Sequence, residues 1–542
     1  MDSHAGARTE DIRDDRAGVA AAWAVLAVVV FAVVWIVLGP IHRFHQADSL
    51  LPVLASCYKW TPFFWHQNRL GALVPLLASP FRDPGVNLFI QAGLNSFLGL
   101  LAIFLAARYV GGRRRWIAGG AIATLLLMCW PQQRIFNYLI GHHEYSSALG
   151  LGFAALLLLS KEDGRRGHLR FALGAGCLFC ALWVNYATAI TLGAVVVWRW
   201  LFGGSLGTDW RSLRSAGLPQ GLKSLAQKEP PKTLLMIASF LILWIGLSLL
   251  SSHRQDYAKL NLGNGQWAAY ATLATKTWRY FLSGMLWKEW MAVFVVALVS
   301  LISRAGRRAL RASAVAAGCL SAAALCHFAV IGMLGWVAEH HFSPKYATTS
   351  VIMLQCAVAV FAGMQLLAVL GDRKTAIPTA GLVIVLAVVV VLKFDPPSPR
   401  RVRVILDQLF GTRTNEVLTS GCTHICGNSW TVWPAIFHVN MVLYEQGSRR
   451  RVWGITERSE PTQDKWRSIP MEQWKVAVPI IDPIQRSEVR IRKAEVDWLM
   501  RHFKLPPLEE IERLTTIRVC RPRVHGTGRI TRHSRATSRD RK

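Results

Sequence analysis

The stretch "VAAAWAVLAVVVFAVVWIVL", Val19–Leu38, decides the fold class of this chain. It is twenty residues without a charge, enough at about 1.5 Å per residue to cross a hydrocarbon core of about 30 Å. It is long for the apolar part of a signal peptide, the segment before it mixes Asp11, Asp14 and Asp15 with arginines, and no small-residue cleavage site follows. It reads as a retained first membrane helix. The rest of the chain fits that reading, because 52% of its 542 residues are hydrophobic and only 17% are charged, too apolar for an ordinary soluble protein.

Further apolar segments recur near residues 87–107, 116–130, 145–160, 169–184, 187–202, 233–250, 288–303, 312–335, 348–370 and 375–392. With the first they predict about eleven transmembrane helices in an α-helical polytopic membrane protein. The net charge of +30 would suggest nucleic acid in a soluble protein, but here most of the excess lies in short loops such as "RYVGGRRR", "KEDGRRGHLR" and "RAGRRALR" and in the C-terminal tail. The loop charge follows membrane topology: with residues 1–17 cytoplasmic, the inward segments carry about twice the Lys and Arg of the outward ones. Nucleic acid is not an expected partner; membrane lipids are.

The outward segments, residues 39–84, 131–144, a turn around Asn185, 251–287 and 337–347, are rich in His, Trp, Tyr, Asn and Gln. Within the first, "FFWHQNRLGALVPLLASPF" is too short and too interrupted by proline to span, and predicts an interfacial or re-entrant helix. After the membrane part, residues 18–393, the Pro-rich break "KFDPPSPRR" reads as a linker. Residues 394–520 predict a small extracytoplasmic α/β domain, with helices at "RVRVILDQLF" and "EVDWLMRHF" and strands at "RRVWGI" and "WKVAVPII". Residues 521–542, rich in Arg, Ser, Thr and Gly, predict a disordered basic tail.

Several constellations could carry chemistry. In "HRFHQADSLLP", Asp48 follows His42 and His45; it reads either as a solvated acid or helix cap, or as a carboxylate base at the membrane face. Two histidines without a third ligand leave a divalent metal open and unassigned. In "HQNRLG", Arg69 offers a planar fork for phosphate, and Gln67 and Asn68 offer neutral hydrogen bonds for hydroxyls; an arginine snorkelling to the headgroups explains the same residues. The run "PQQRIFNYLIGHHEYSS" holds Arg134, Asn137, His142, His143 and Glu144, more polar chemistry than a turn needs. In "EHHFSPKY", His341, Lys345 and Tyr346 precede a span, with Lys345 a cation suited to an anionic headgroup. "SHRQDY" pairs Arg254 with Asp256, as a local ion pair or a ligand clamp.

In the C-terminal domain, "CTHICGNSWTVWP" sets Cys422 and Cys426 around His424. Zinc would need more ligands, so the pair reads as a disulfide or as free thiols. Trp430, Trp433, Trp453, Trp466, Trp474 and Trp498 offer sugar-stacking faces or aromatic core, with core the expectation for most.

A long first helix, an outward loop with an early acid at "HQADS", a juxtamembrane helix, many further spans and a C-terminal outer domain resemble the GT-C superfamily of integral membrane glycosyltransferases of bacteria. The resemblance covers residues 19–392 by architecture, and its residue-level match is Asp48; the acidic pair frequent in that family is absent, since Ala47 precedes Asp48. It implies a transferase of the bacterial inner (plasma) membrane, using a polyprenyl-phosphate-linked sugar donor and a hydroxyl of an envelope glycan, lipid or protein as acceptor. Asp48 would be the catalytic base. Substrate binding would fall to His45, Gln67, Asn68, Arg69, Arg134, His142, His143, Glu144, His341, Lys345 and Tyr346. A lipid-linked glycan polymerase or ligase, and a transporter or flippase, are the competing readings.

Overall fold

The computed structural model describes residues 46–64, 67–111, 143–160, 167–203, 266–282, 304–339, 341–370, 398–482, 487–488 and 493–523, with a few isolated positions besides. The expected spans at 19–38, 116–130, 233–250, 288–303 and 375–392 fall wholly or mainly outside the described residues, as do His42, His45, Arg134, His142 and the segment 253–257. The chain divides into two compact units, Met1–Ile405 and Leu406–Lys542.

The first unit is helical. Its elements are α1 (Ala47–Tyr58), a two-stranded hairpin of β1 (Phe63–Phe64) and β2 (Gln67–Gly71), α2 (Leu73–Ala78), α3 (Pro84–Gly111), α4 (His143–Leu159), α5 (Gly167–Val184), α6 (Thr188–Gly203), α7 (Gln266–Thr277), α8 (Arg304–Gly332), α9 (Gly335–Glu339) and α10 (Thr348–Leu370). Among the described residues four helical stretches are long and apolar enough to cross a membrane, 84–110, 167–184, 309–332 and 344–365; the apolar stretches of α4 and α6 are shorter. The expected spans near 87–107, 145–160, 169–184, 187–202, 312–335 and 348–370 each appear as a helix.

The register of these helices can be read from their contacts. Ser147 on α4 donates to Asn95 on α3 at 2.8 Å, and one turn further along both helices a Cβ at Gly150 would overlap the Leu98 carbonyl. The pair therefore runs parallel, and only glycine lets the backbones approach so closely. α8 and α10 are antiparallel: His327 Nδ1 lies 2.8 Å from the Ser350 hydroxyl, and Gln365 donates to Ser313 at the other end. A continuous core of Ala106, Phe153, Leu156, Leu192, Leu320, Met353 and Val360 fills the space between α3, α4, α6, α8 and α10.

The stretch expected as an interfacial helix is different. Its aromatic and glycine residues form the β1–β2 hairpin, and only Leu73–Ala78 is helical; paired phenylalanines suit an extended backbone better than a helix. The buried element of this segment is instead α1, which carries Asp48 in its first turn and is buried at Ala47 and from Leu50 through Cys57.

The second unit begins within α11 (Pro399–Thr419) and continues through β3 (His424–Cys426), α12 (Ser429–Glu445), β4 (Trp453–Ile455), β5 (Val476–Pro479), α13 (Lys493–His502), β6 (Leu508–Arg513) and β7 (Ile517–Pro522). The helices and strands expected from sequence are present. The five strands form one sheet in the order β4-β3-β5-β7-β6. β3 pairs parallel with β4 and β5, β7 pairs antiparallel with β5, and β6 closes a hairpin with β7. Arg521 and Pro522, expected in the tail, instead pair with Glu509 and Leu508 in the last hairpin, and residues 524–542 lie outside the described residues. The Glu416 carboxylate holds the turn of that hairpin, accepting from the backbone of Thr515 and Thr516 at 3.0 and 2.9 Å.

The core of this unit is aromatic. Trp466 and Trp474 cross edge to face at 5.6 Å, Phe503 meets Trp466 at 5.6 Å, and the His424 ring lies 4.2 Å from that of Trp474. Cys422, Cys426 and Cys520 are buried free thiols. Cys422 precedes β3 and Cys426 ends it, and neither forms a disulfide. Burial pushes the Cys422 thiol up to about 12 and the Cys520 thiol up to about 11, with neighbouring cations opposing the rise. Both stay protonated and inert at neutral pH.

Burial lowers His424 to about 4. Its neutral ring has Nε2 3.4 Å from the Trp466 carbonyl, and Nδ1 can accept from the Thr423 hydroxyl at 2.8 Å. Because the folded pKa lies below the unfolded value of about 6.5, the unfolded chain binds the extra proton. The second unit should hold its full stability above about pH 6.5 and lose up to roughly 3 kcal/mol as pH falls toward 4. Limited proteolysis of the full-length protein across that range, beside His424→Phe, checks this; an equal pH slope in both proteins would remove His424 as the cause.

Candidate site at the polar end of the helical unit

An amide seam fixes the helix that carries Asp48. On α3, Asn87, Gln91 and Asn95 recur every four residues and so share one face; each is almost fully buried. Asn87 Nδ2 donates to the Ser56 hydroxyl and to the carbonyls of Ala78 and Phe81, all at 2.8 Å. Gln91 Nε2 donates to Asn87 Oδ1 at 2.7 Å and to the Pro52 carbonyl at 3.2 Å. Ser56 in turn donates to the Pro75 carbonyl at 2.8 Å. α1, α2 and α3 are thus held together by neutral hydrogen bonds inside apolar surroundings, where an unmet amide would cost several kcal/mol.

The same bonds set the depth of Asp48. Ser56 sits beside Asn87 and Pro52 beside Gln91, so α1 runs antiparallel to α3. Carried back one turn, this register sets Asp48 level with Asn95, about 16 Å along α3 from its first residue. Asn95 is the residue that receives Ser147, one turn into α4 from His143 and Glu144. Asp48 is half-buried there. Pro52 has no N–H to offer the Asp48 carbonyl, so the backbone at this turn lacks the usual helical donor.

The described parts of the other segments expected to face outward gather at the same end of the unit. Leu70 on β2 forms a bridge with Asn185, in the turn between α5 and α6, Trp183 donates to the Pro62 carbonyl at 2.9 Å, and a Cβ at Gly71 would collide with the Trp183 carbonyl. Two residues beyond Asn185, Ala187 packs on a cluster of Leu273, Ile331, Val337 and Tyr346, with Phe342 beside it. The strand with Gln67, Asn68 and Arg69, the Asn185 turn, α7 and the segment with His341, Lys345 and Tyr346 therefore form one connected layer. At the opposite end the Arg199 guanidinium lies 4.1 Å over the Tyr109 ring, and α8 begins with Arg304, Arg307, Arg308 and Arg311.

In this layer His341 and Phe342 both adopt left-handed backbone conformations, φ 55° and 52°. They end α9: Phe342 N–H donates to the Val337 carbonyl and His341 N–H to that of Ala338, both at 2.9 Å, the bond pattern of a helix terminus that usually takes glycine. Lys276 Nζ donates to the His341 carbonyl at 2.5 Å, clamping the turn. Lys345 is half-buried, with its ammonium 5.3 Å from the Tyr346 ring centroid. The Tyr346 ring itself is part of the apolar cluster.

The structure thus brings Asp48 level with the start of α4, and sets β2, Lys276, His341 and Lys345 at that same polar end. Among the described residues no group of three or more His, Cys, Asp and Glu is arranged to hold a metal ion. Sequence reading missed Asn87, Gln91, Asn95 and Lys276; the signal for the first three was the four-residue spacing in "NLFIQAGLN". No protein-family model matches the chain, and no curated protein matches it either.

Replacing Asn87 or Gln91 by Leu should destabilise the detergent-solubilised protein by about 1–2 kcal/mol each, since neighbouring acceptors lose their donors. A double substitution should cost less than the sum, because the two amides bond each other. Thermal unfolding reads both effects, and an unchanged midpoint in either single variant would show that the seam does not hold α1.

Proposed function

We propose that the chain is an integral membrane glycosyltransferase of about eleven spans that moves a sugar from a polyprenyl-phosphate donor to a hydroxyl of an envelope glycan, lipid or protein. The observation that carries the reading is the half-buried carboxylate of Asp48, in the first turn of a largely buried helix at the polar end of an apolar bundle. The excess of Lys and Arg in the segments of the opposite end supports a cytoplasmic location for that end, with residues 1–17 cytoplasmic and the C-terminal unit extracytoplasmic, in a bacterial inner membrane. A lipid carrier is the donor that suits such a site, since it moves laterally in the bilayer and brings its phosphate to headgroup depth.

In this reading Asp48 accepts the proton of the acceptor hydroxyl as its oxygen attacks the anomeric carbon, and the bond to the lipid phosphate breaks in the same displacement. General-base help of this kind is worth about 10² to 10⁴ in rate, and a single displacement inverts the anomeric centre. Negative charge grows on the departing phosphate. Lys345, with Arg69, Arg134, His142 and His143, supplies cations for it, and Lys276 joins them because it clamps the same turn. Gln67, Asn68, Glu144, His341, Tyr346 and His45 complete the substrate-binding set. No metal is required by this scheme, and a divalent ion beside the phosphate is compatible with it.

A flippase of lipid-linked substrates is the second reading, favoured by the buried polar face of α3. Its amides, however, are occupied by α1, α2 and α4, which suits a fixed scaffold more than a moving pathway.

Asp48→Asn should abolish the missing glycan product in a complemented deletion strain while membrane insertion stays normal. Retained product would reject Asp48 as base, and lipid-linked substrate trapped on the inner leaflet would favour the flippase. Lys345→Ala should raise the donor KM by at least about tenfold with little change in acceptor KM; equal effects on both would reject the phosphate role.

A further inference from the structure

Of the six tryptophans of the C-terminal unit, Trp433, Trp466 and Trp474 are buried and Trp453 is half-buried, whereas Trp430 and Trp498 are 48% and 47% exposed. The two exposed rings belong to one ridge. The Arg458 guanidinium lies 6.0 Å from the Trp430 ring centroid. Two residues on, Glu460 Oε1 is 3.7 Å from His502 Nε2, and the His502 ring stacks on Trp498 at 5.1 Å and 17°. Trp430, Arg458, Glu460, His502 and Trp498 therefore follow one another across the surface.

Both indoles are fixed. Trp430 stands in the first turn of α12, where Asn428 caps the helix by accepting from the Thr431 N–H at 3.0 Å and Ser429 donates to Glu457 at 2.5 Å. Trp498 and His502 are one turn apart on α13, a spacing at which side chains on a helix meet. A large apolar ring left half-exposed on a rigid element gains nothing for the fold and suits the flat face of a ligand.

The polar groups between the rings identify the ligand. Arg458 and His502 offer donors, while Glu457 and Glu460 offer acceptors, so the ridge is close to neutral. The carboxylates would repel nucleic acid or a polyanionic polymer, which a basic patch would attract. Two indole plates separated by mixed donors and acceptors match a neutral carbohydrate, whose rings present C–H faces to aromatics and hydroxyls to charged side chains. We infer that the Trp430–Trp498 ridge binds a neutral glycan chain. This rests on the transferase reading only for the identity of that chain as the acceptor.

Affinity electrophoresis of the full-length protein in nanodiscs, with dextran, galactomannan or soluble β-glucan in the gel, tests the assignment. At least one neutral polysaccharide should retard the protein, and Trp430→Ala and Trp498→Ala should each weaken retardation about fivefold, with the double variant near background. Because both rings are exposed, these variants should unfold at the parent temperature, and Trp430→Phe and Trp498→Phe should retain most binding. The inference fails if none of the neutral polymers binds, if the alanine variants bind as the parent does, or if only alginate or DNA is retained. Asp48→Asn should bind the glycan normally: binding without any transferase activity in the parent would leave the ridge standing and sink the transferase reading, whereas transfer without glycan retention would do the reverse.

Discussion

The helical unit depends on keeping neutral amides satisfied inside an apolar bundle. Asn87 and Gln91 each carry two N–H groups and a carbonyl, and in such surroundings those groups must find protein partners. They find the Ser56 hydroxyl and the backbone carbonyls of Pro52, Ala78 and Phe81, which belong to α1, α2 and the loop that leads into α3. α1 therefore cannot slide along α3 without stranding several bonds together, and the depth of Asp48 follows from that register. Hydrophobic burial alone would leave such a register loose, because one apolar face packs on another in several ways.

The second unit is specified differently. Its short strands bury little apolar surface individually, and the aromatic wedge of Trp466, Trp474 and Phe503 fills the space between β3, β5 and α13. The order β4-β3-β5 with parallel pairing needs a crossover, and α12 supplies it between β3 and β4. The antiparallel β6–β7 hairpin then covers the open edge of β5. Glu416 spends its carboxylate on the hairpin turn, so a residue that sequence alone would assign to solvent serves the fold.

Apolar run length was the most readable signal. Six expected spans coincide with helices because a run such as 348–370 has few other ways to satisfy its backbone in a bilayer. Local pattern also sufficed for "RVRVILDQLF" and "WKVAVPII". What it could not supply was pairing over long separations. The hairpin at Phe63–Gly71 and the course of α1 along α3 depend on residues far along the chain, Asn185 for one and Gln91 for the other. Asp48 was visible as an early acid, but its level along α3 follows from the register of α1 on Asn87 and Gln91, and Lys276 became a candidate only through its bond to the His341 carbonyl. Of the tryptophans, composition gave no means of telling the exposed Trp430 from the buried Trp433, three residues apart in one helix.

The three thiols shut inside the second unit carry a practical corollary. A domain whose sulfur atoms are reduced and held away from solvent by indoles and sheet asks nothing of oxidoreductases or isomerases as it matures. Its recombinant manufacture can proceed in an ordinary reducing host, and reducing agents in the purification buffer will leave its architecture untouched.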